Sequence, residues 1–425
     1  MMVRRIATVA AMVPLLALAA CGRSDEDSSS QTADELSAGP ATGTISIWAQ
    51  GTEGEALPEF LEEFEAENPD VSVNVTAIPW DSAQNKYQTA IAGGTTPDIG
   101  MLGTDWMPTF GDALRPTPDE IDMSGMFPAN VESTNLDGTH YGVPWYVETR
   151  VIFYRTDLME QAGFDTFPTT WDGFKELARA MQEETGAEYG VNLPAGGWNA
   201  FLGLLPFAWS NGAEITNADQ TEWTFDSPEI VEALEYVNGF FTEGIADATP
   251  DDEPGAAAAA FVDGRIPMMI TGPWEIGQLT EAGGDGFADK FAVAPIPASE
   301  GSTSTSFTAG ANLVVFENSE NPDAAWKLVE WLTRPETQVA WFEATTDLPS
   351  QESAWTDKAL ADDPKVSVFG EQLQSVKTAP PLETWPQVSD AADSLVEQIV
   401  ASGKDPAQAM AELQSTAESL GTGSD

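Results

Sequence analysis

Residues 45–102 read ISIWAQGTEGEALPEFLEEFEAENPDVSVNVTAIPWDSAQNKYQTAIAGGTTPDIGML. Ile45-Ser46-Ile47-Trp48 alternates as a strand does. After a polar loop, Leu57, Phe60, Leu61 and Phe64 recur at helical spacing until Asn68-Pro69 stops them. Val71, Val73 and Val75 form a second strand. Asp81 then stands as an N-cap, Tyr87 and Ile91 share a helix face, Gly93-Gly94 ends the helix, and Pro97 to Leu102 returns as a third strand. The order β-α-β-α-β predicts an α/β fold with a parallel sheet. Ligands in such sheets sit beyond the carboxyl ends of the strands, here the loops after Trp48 and after Leu102.

Beyond residue 150 the pattern is mainly helical. Ser227-Pro228 opens a helix with Ile230, Leu234, Val237 and Phe241 on one face, and Asn321-Pro322 and Asp405-Pro406 open others by the same pairing of cap and proline. The run Ala256 to Ala260, leading into Phe261, reads as one tightly packed helix. No repeat of fixed period, phosphate-binding loop or strand-coupled G-x-G-x-x-G occurs, so nucleotide binding has no support.

The 425 residues carry 69 acidic against 17 basic side chains, a formal charge of −52, which makes nucleic acid or an anionic membrane face a poor partner for the surface at large. One histidine, His140, and one cysteine, Cys21, leave no material for a His/Cys metal site or a disulfide framework. His140, in the turn-like stretch Asp137 to Tyr141, is expected to be structural or solvated and not catalytic.

At the start of the chain, Arg4-Arg5 precedes an apolar run from Ile6 through Ala20 that is shorter than the ~20 residues needed to span a bilayer. Residues 1–20 read as a signal peptide. The run ends in Leu18-Ala19-Ala20-Cys21, which resembles a bacterial lipobox, so Cys21 is expected to carry lipid. Residues 21–43 read as the lipidated N-terminus and a disordered tether, rich in Ser, Asp, Glu, Thr and Gly. Together these place the protein on the extracytoplasmic face of the cell membrane, held by its lipid.

Four further segments extend this reading. They are Ile45-Ser46-Ile47-Trp48 with the loop Gln50 to Gly54; Gly94-Thr95-Thr96-Pro97-Asp98-Ile99 followed by Asp105-Trp106; Tyr141 to Glu148 followed by Phe153 to Leu158; and Phe261-Val262-Asp263-Gly264-Arg265 running into Met268 to Trp274. In this order they resemble the extracellular solute-binding proteins of carbohydrate ABC transporters, the group that includes the maltodextrin-binding protein. The likeness runs from about residue 44 to the end. It implies a two-lobed periplasmic-binding-protein fold of type II with a ligand cleft between the lobes. It divides the chain into lobe one, 44–148 plus 296–332, and lobe two, 149–295 plus 333–425, with crossings near Val147-Glu148, Ala294-Pro295 and Thr333-Arg334.

A sugar offers hydroxyls that need directional partners and a flat C–H face that suits an aromatic ring, so acids and amides beside tryptophan make a carbohydrate site. Of the 14 tryptophans, Trp171, Trp326, Trp331 and Trp341 fit helix faces and are expected in the core. The resemblance makes Trp274, after Gly272-Pro273, a stacking platform, and Trp385, after Pro380-Pro381, a second ring. Asp105 with Trp106, Glu148 at the first crossing, and Gln50 with Glu53 in the loop after the first strand are the expected polar partners, joined by Trp198 and Asn199 after Gly196-Gly197. Asn211 and Gly310 are weaker candidates at ordinary turn signals.

The function so implied is non-enzymatic: a monomeric lipoprotein that captures a di- or oligosaccharide without a cofactor or metal and delivers it to ABC permease subunits. A secreted glycoside hydrolase is the alternative from another class, but no spacing here shows the two flanking carboxyls that hydrolysis needs. A surface adhesin or sensor on the same fold is the third reading.

Overall fold

The computed structural model describes residues 36–423 apart from residues 198, 252 and 254. The expected signal peptide, Cys21 and most of the tether lie outside the described residues, as does Trp198. The disordered stretch expected to reach 43 ends sooner, since Ser37 bonds to the Asp323 carboxylate, Ala41 is buried and Gly43 already opens the first strand.

Twelve strands are present among the described residues: β1 (Gly43–Gln50), β2 (Val71–Ile78), β3 (Ile99–Gly103), β4 (Asn135–Leu136), β5 (Thr139–His140), β6 (Val143–Thr149), β7 (Val151–Arg155), β8 (Met268–Thr271), β9 (Phe291–Ala294), β10 (Ser306–Val315), β11 (Leu348–Pro349) and β12 (Val376–Lys377). The main sheet has the order β11-β6-β10-β3-β1-β2, with β12 added against β10. Both β2 and β3 run parallel to β1, as the opening stretch predicts. β10 runs antiparallel to β3 and β6, so a late segment of the chain completes a sheet begun by its first strands. A second sheet, β8-β7-β9, is antiparallel.

The alternation of β1 puts Ile45, Ile47 and Ala49 on one face, where they meet Leu57, Phe64, Trp326 and Trp331. Trp48 turns to the opposite face with Leu102, Tyr87, Phe110 and Phe316. Covered on both faces, the sheet has the doubly wound construction that long β-branched strands require. The second sheet is covered likewise. Ile152 and Met268 face a helical core built on Phe174, Leu177, Phe207, Phe240 and Leu413, while Phe153, Met269 and Val293 face Phe261, Phe291 and Phe369.

Local details depart from the sequence reading. The first helix, Gly51–Phe60, follows β1 with no intervening loop, because Gly51 adopts φ +53° and turns the chain in one residue. The third-unit helix begins at Trp80, capped by Pro79, so Asp81 lies inside it. The helices at Pro228–Thr242, Pro322–Leu332 and Pro406–Leu420 start where expected. The chain passes from the first sheet to the second between β6 and β7, and back between β9 and β10. It does not leave the first sheet at Thr333-Arg334. That turn only separates two helices, since Trp341 of Pro335–Thr345 packs 4.8 Å from the Trp145 ring and 4.9 Å from Phe60, and β11 pairs with β6. His140 plays a structural part, its Nδ1 lying 2.7 Å from the Thr134 hydroxyl.

Candidate functional site

The carboxyl ends of β1 and β3 open onto a cleft of about 700 Å³, bounded on the far side by residues of the second sheet and its helices. That volume lies within the range of roughly 300–1,000 Å³ typical of small-molecule sites. On the near side the lining is Thr52 and Glu53 in the first turn of helix Gly51–Phe60, Trp80 at the start of helix Trp80–Gly93, Asp105 and Trp106 in the tight turn after β3, Tyr146 and Glu148 of β6, and Asp347. The far side supplies Asn199, Leu202 and Gly203, with Ile270, Pro273, Trp274 and Gln278. Arg150, Phe307 and Gly310 line the passage between the sheets.

Each polar group has a structural reason for its place. Glu53 is only 6% exposed, and its carboxylate accepts hydrogen bonds from the Tyr146 hydroxyl (2.8 Å) and from Thr52 (3.2 Å). Burial pushes the Glu53 carboxyl up; its own backbone N–H and the two hydroxyls oppose that rise, and the Glu148 charge adds to it. Tyr146 and Glu148 lie two residues apart in the regularly paired part of β6 and so share a face; the register shift opposite Ala311/Asn312 leaves Trp145 unpaired just before them. Asp105 is open to the water of the cleft but enclosed by its walls, and that desolvation, with a contribution from Glu148, pushes it up to about 6. Half-buried Asp347 accepts a 2.9 Å bond from the Trp341 indole N–H; burial, followed by the charge of Glu53, holds its carboxyl well above the usual range.

Across the cleft, Asn199 has φ +60° and precedes the helix Ala200–Trp209. The distant Asp393 caps this helix, its carboxylate accepting the N–H groups of Asn199 (2.7 Å) and Phe201 (2.8 Å). Trp274 is half-buried, with the Arg150 guanidinium 4.4 Å from its ring centroid and 4.8 Å from that of Phe307. The same guanidinium pairs with Glu148 at 3.2 Å. Arg150 is the one cationic side chain among the described residues lining the cleft.

The cleft therefore brings together Glu53, Asp105, Trp106, Glu148, Asn199 and Trp274 from the expected set, and the weaker candidate Gly310 with them. Two expected residues lie elsewhere. Gln50 is the last residue of β1, fully buried, and its side-chain amide donates to the Met101 carbonyl (2.8 Å), bracing β1 against β3. Trp385 is 4% exposed and belongs to the second core, its ring stacked 6.2 Å from Trp223, because the helix Trp385–Ser402 turns its first side chain inward. From that segment it is Thr378 and Ala379 that line the cleft. Asn211 also lies outside it, bonded to Glu229 and Glu232. Trp171, Trp326, Trp331 and Trp341 are buried in the cores.

Sequence reasoning missed Tyr146, Trp80, Arg150, Gln278 and Asp347. Period-two spacing from Glu148 marks Tyr146, and the rule that found Asp105 also marks Trp80, two residues beyond the carboxyl end of β2. Asp347 and Gln278 have no local signal. Among the described residues no group of His, Cys, Asp and Glu is arranged to hold a metal ion, and no helix is long and apolar enough to cross a membrane.

Comparison with known proteins places the chain. Residues 48–339 match the model of the bacterial extracellular solute-binding protein family. A putative binding protein of Brucella abortus is 26% identical over 400 residues, covering 91% of this chain and 95% of its own. A maltotriose-binding protein of Pyrococcus abyssi is 26% identical over 380 residues, covering 87% of this chain and 79% of its own. Among solved structures, the sugar-binding protein MalE of Xanthomonas citri is 30% identical with a TM-score of 0.81, covering 89% of this chain and 97% of that one. The chain belongs to the bacterial extracellular solute-binding protein family and has its two-lobed α/β fold.

Proposed function

We propose that this solute-binding protein captures a di- or oligosaccharide outside the membrane by closing its two lobes on the cleft, and delivers it to the permease of an ABC transporter. The observation that carries the reading is the composition of the two walls: Glu53, Asp105, Glu148 and Asp347 on one, Trp274 and Asn199 on the other. Acceptors for hydroxyls thus face a ring suited to a sugar's C–H surface. In this reading Asp105, Glu148 and Glu53 accept hydrogen bonds from sugar hydroxyls, Trp274 stacks on a pyranose face, and Asn199 supplies an amide. The relatives named for binding sugars support the ligand class.

The lobes we propose are 44–148 with 296 to about 350, and 149–295 with the remainder. The jaw bends where the chain passes between the lobes, at Thr149–Arg150, between Ala294 and Ser306, and near residue 350. Lipid on Cys21 holds the monomeric protein to the membrane. Closure needs differential affinity, since a ligand shifts the open–closed balance only by binding the closed form better.

Thermal midpoints of the soluble form against maltose, trehalose, cellobiose and diacetylchitobiose test the reading. A true ligand at a hundredfold excess over its dissociation constant adds ~2.7 kcal/mol of stability and raises the midpoint. A flat response to every saccharide would overturn the ligand class. Incubated with the sugar that binds, the protein should return it uncleaved.

A further inference from the structure

We infer that the cleft is built for a saccharide carrying a protonated amine, an amino sugar whose ammonium sits among Trp80, Trp106, Glu53 and Asp105. The inference rests on the saccharide reading above and narrows it.

The charge inventory is the first ground. Four carboxylates line the cleft and one cation answers them. That cation is already committed: Arg150 is ion-paired to Glu148 and lies against the rings of Trp274 and Phe307. A cation held between aromatic faces and a carboxylate is thus an arrangement that this cleft already contains, filled from within.

A second arrangement of the same chemistry lies on the near wall. Trp80 and Trp106 meet edge to face with centroids 5.8 Å apart. Both crowd glycines that leave room for them. A Cβ on Gly51 would fall 2.7 Å from the Trp80 indole nitrogen and 3.1 Å from a Glu53 oxygen; one on Gly103 would fall 2.9 Å from an Asp105 oxygen and 3.4 Å from the Trp106 ring. Two indoles and two carboxylates therefore converge at the ends of β1 and β3. Trp80 is 37% exposed, whereas the other rings among the described residues are buried or only partly open, so its ring meets the water of the cleft. No lysine or arginine among the described residues lines this wall.

The electrostatic consequence follows from proximity. The charge of Glu148 reaches Glu53, Asp105 and Asp347 alike, and all three carboxyls are held above their ordinary range by burial and mutual repulsion. Sugar hydroxyls donate hydrogen bonds to carboxylates but leave their charge uncompensated. An ammonium supplies up to three donors and the missing positive charge, and its hydrogens suit the indole faces.

Titration calorimetry near neutral pH on the intact protein distinguishes the cases. The probes are maltose, trehalose and cellobiose, each beside its 2-amino-2-deoxy counterpart, and diacetylchitobiose beside its deacetylated form. Each pair shares a skeleton and linkage, so a poor fit affects both members. The amine member should bind about tenfold more tightly, the scale of one exposed cation–π contact plus one screened ion pair. That advantage should shrink as salt is added and shrink again in Asp105→Asn. If the neutral member of a binding pair is equal or tighter, the amine inference is overturned and the saccharide reading stands. If neither member of any pair binds, the saccharide reading itself fails.

Discussion

Replacing Asp105 by Asn removes a charge from the crowded near wall while keeping the side chain's shape, and it should make the protein more stable and a poorer binder. The folded-state carboxyl sits at about 6 against an ordinary value of 3.8. In a dry site that difference would amount to ~3 kcal/mol. Asp105 is open to water, so screening reduces the effect to about 1 kcal/mol. The direction is set by proton binding. Between the two values the native state holds a proton that the unfolded chain has lost, so stability falls as pH rises from about 4 to about 6. The penalty is complete above that window and absent below it, where both states are protonated. Urea unfolding of the two proteins should therefore show Asp105→Asn ahead by about 1 kcal/mol near neutral pH, with the gap closing toward pH 4. Calorimetry on the same samples should show weaker saccharide binding, since a residue placed for a ligand carries its own cost in the free protein. A variant less stable near neutral pH, or a gap that does not change with pH, would refute the reasoning.

Three other perturbations separate site from scaffold. Trp274→Ala should weaken saccharide binding by about 1–3 kcal/mol, the range of an aromatic anchor, as read by calorimetry. Trp385→Ala should instead cost about 3–5 kcal/mol of folding stability by denaturant titration, because its ring is buried against Trp223, and should leave binding close to wild type. With a net charge of −52, raising sodium chloride from about 10 mM to about 1 M should raise the thermal midpoint, most of it before physiological strength, as the Debye length contracts to ~8 Å. A flat midpoint in that titration would mean that local partners already offset the repulsion.

What the sequence revealed and what it hid have physical causes. The parallel unit from Ile45 to Leu102 was legible because alternation, helical spacing and Gly94 all point to one structure, and the rule of carboxyl ends then located Asp105 and Glu53. Glu53 was nevertheless assigned to a loop, since a single glycine at φ +53° starts the helix sooner than spacing suggests. Trp385 was expected in the cleft on the family resemblance alone. Its burial depends on Trp223, whose indole N–H is in turn fixed to the carbonyl of Gly421, and contacts so far apart in the chain leave no local trace. Gln50 went astray by one position at the end of a strand, which is enough to move a side chain from the cleft into the sheet. Asp347 reaches the cleft because Trp145, Trp341 and β11 tie a late helix to the first sheet, a placement only the tertiary fold supplies.

A crystal structure of the protein with the saccharide that most raises its thermal midpoint tests the central claim most directly. The account predicts the sugar between Glu53, Asp105 and Glu148 on one side and Trp274 on the other, with the two walls closer together than in the unliganded protein. A sugar bound outside this cleft would contradict it.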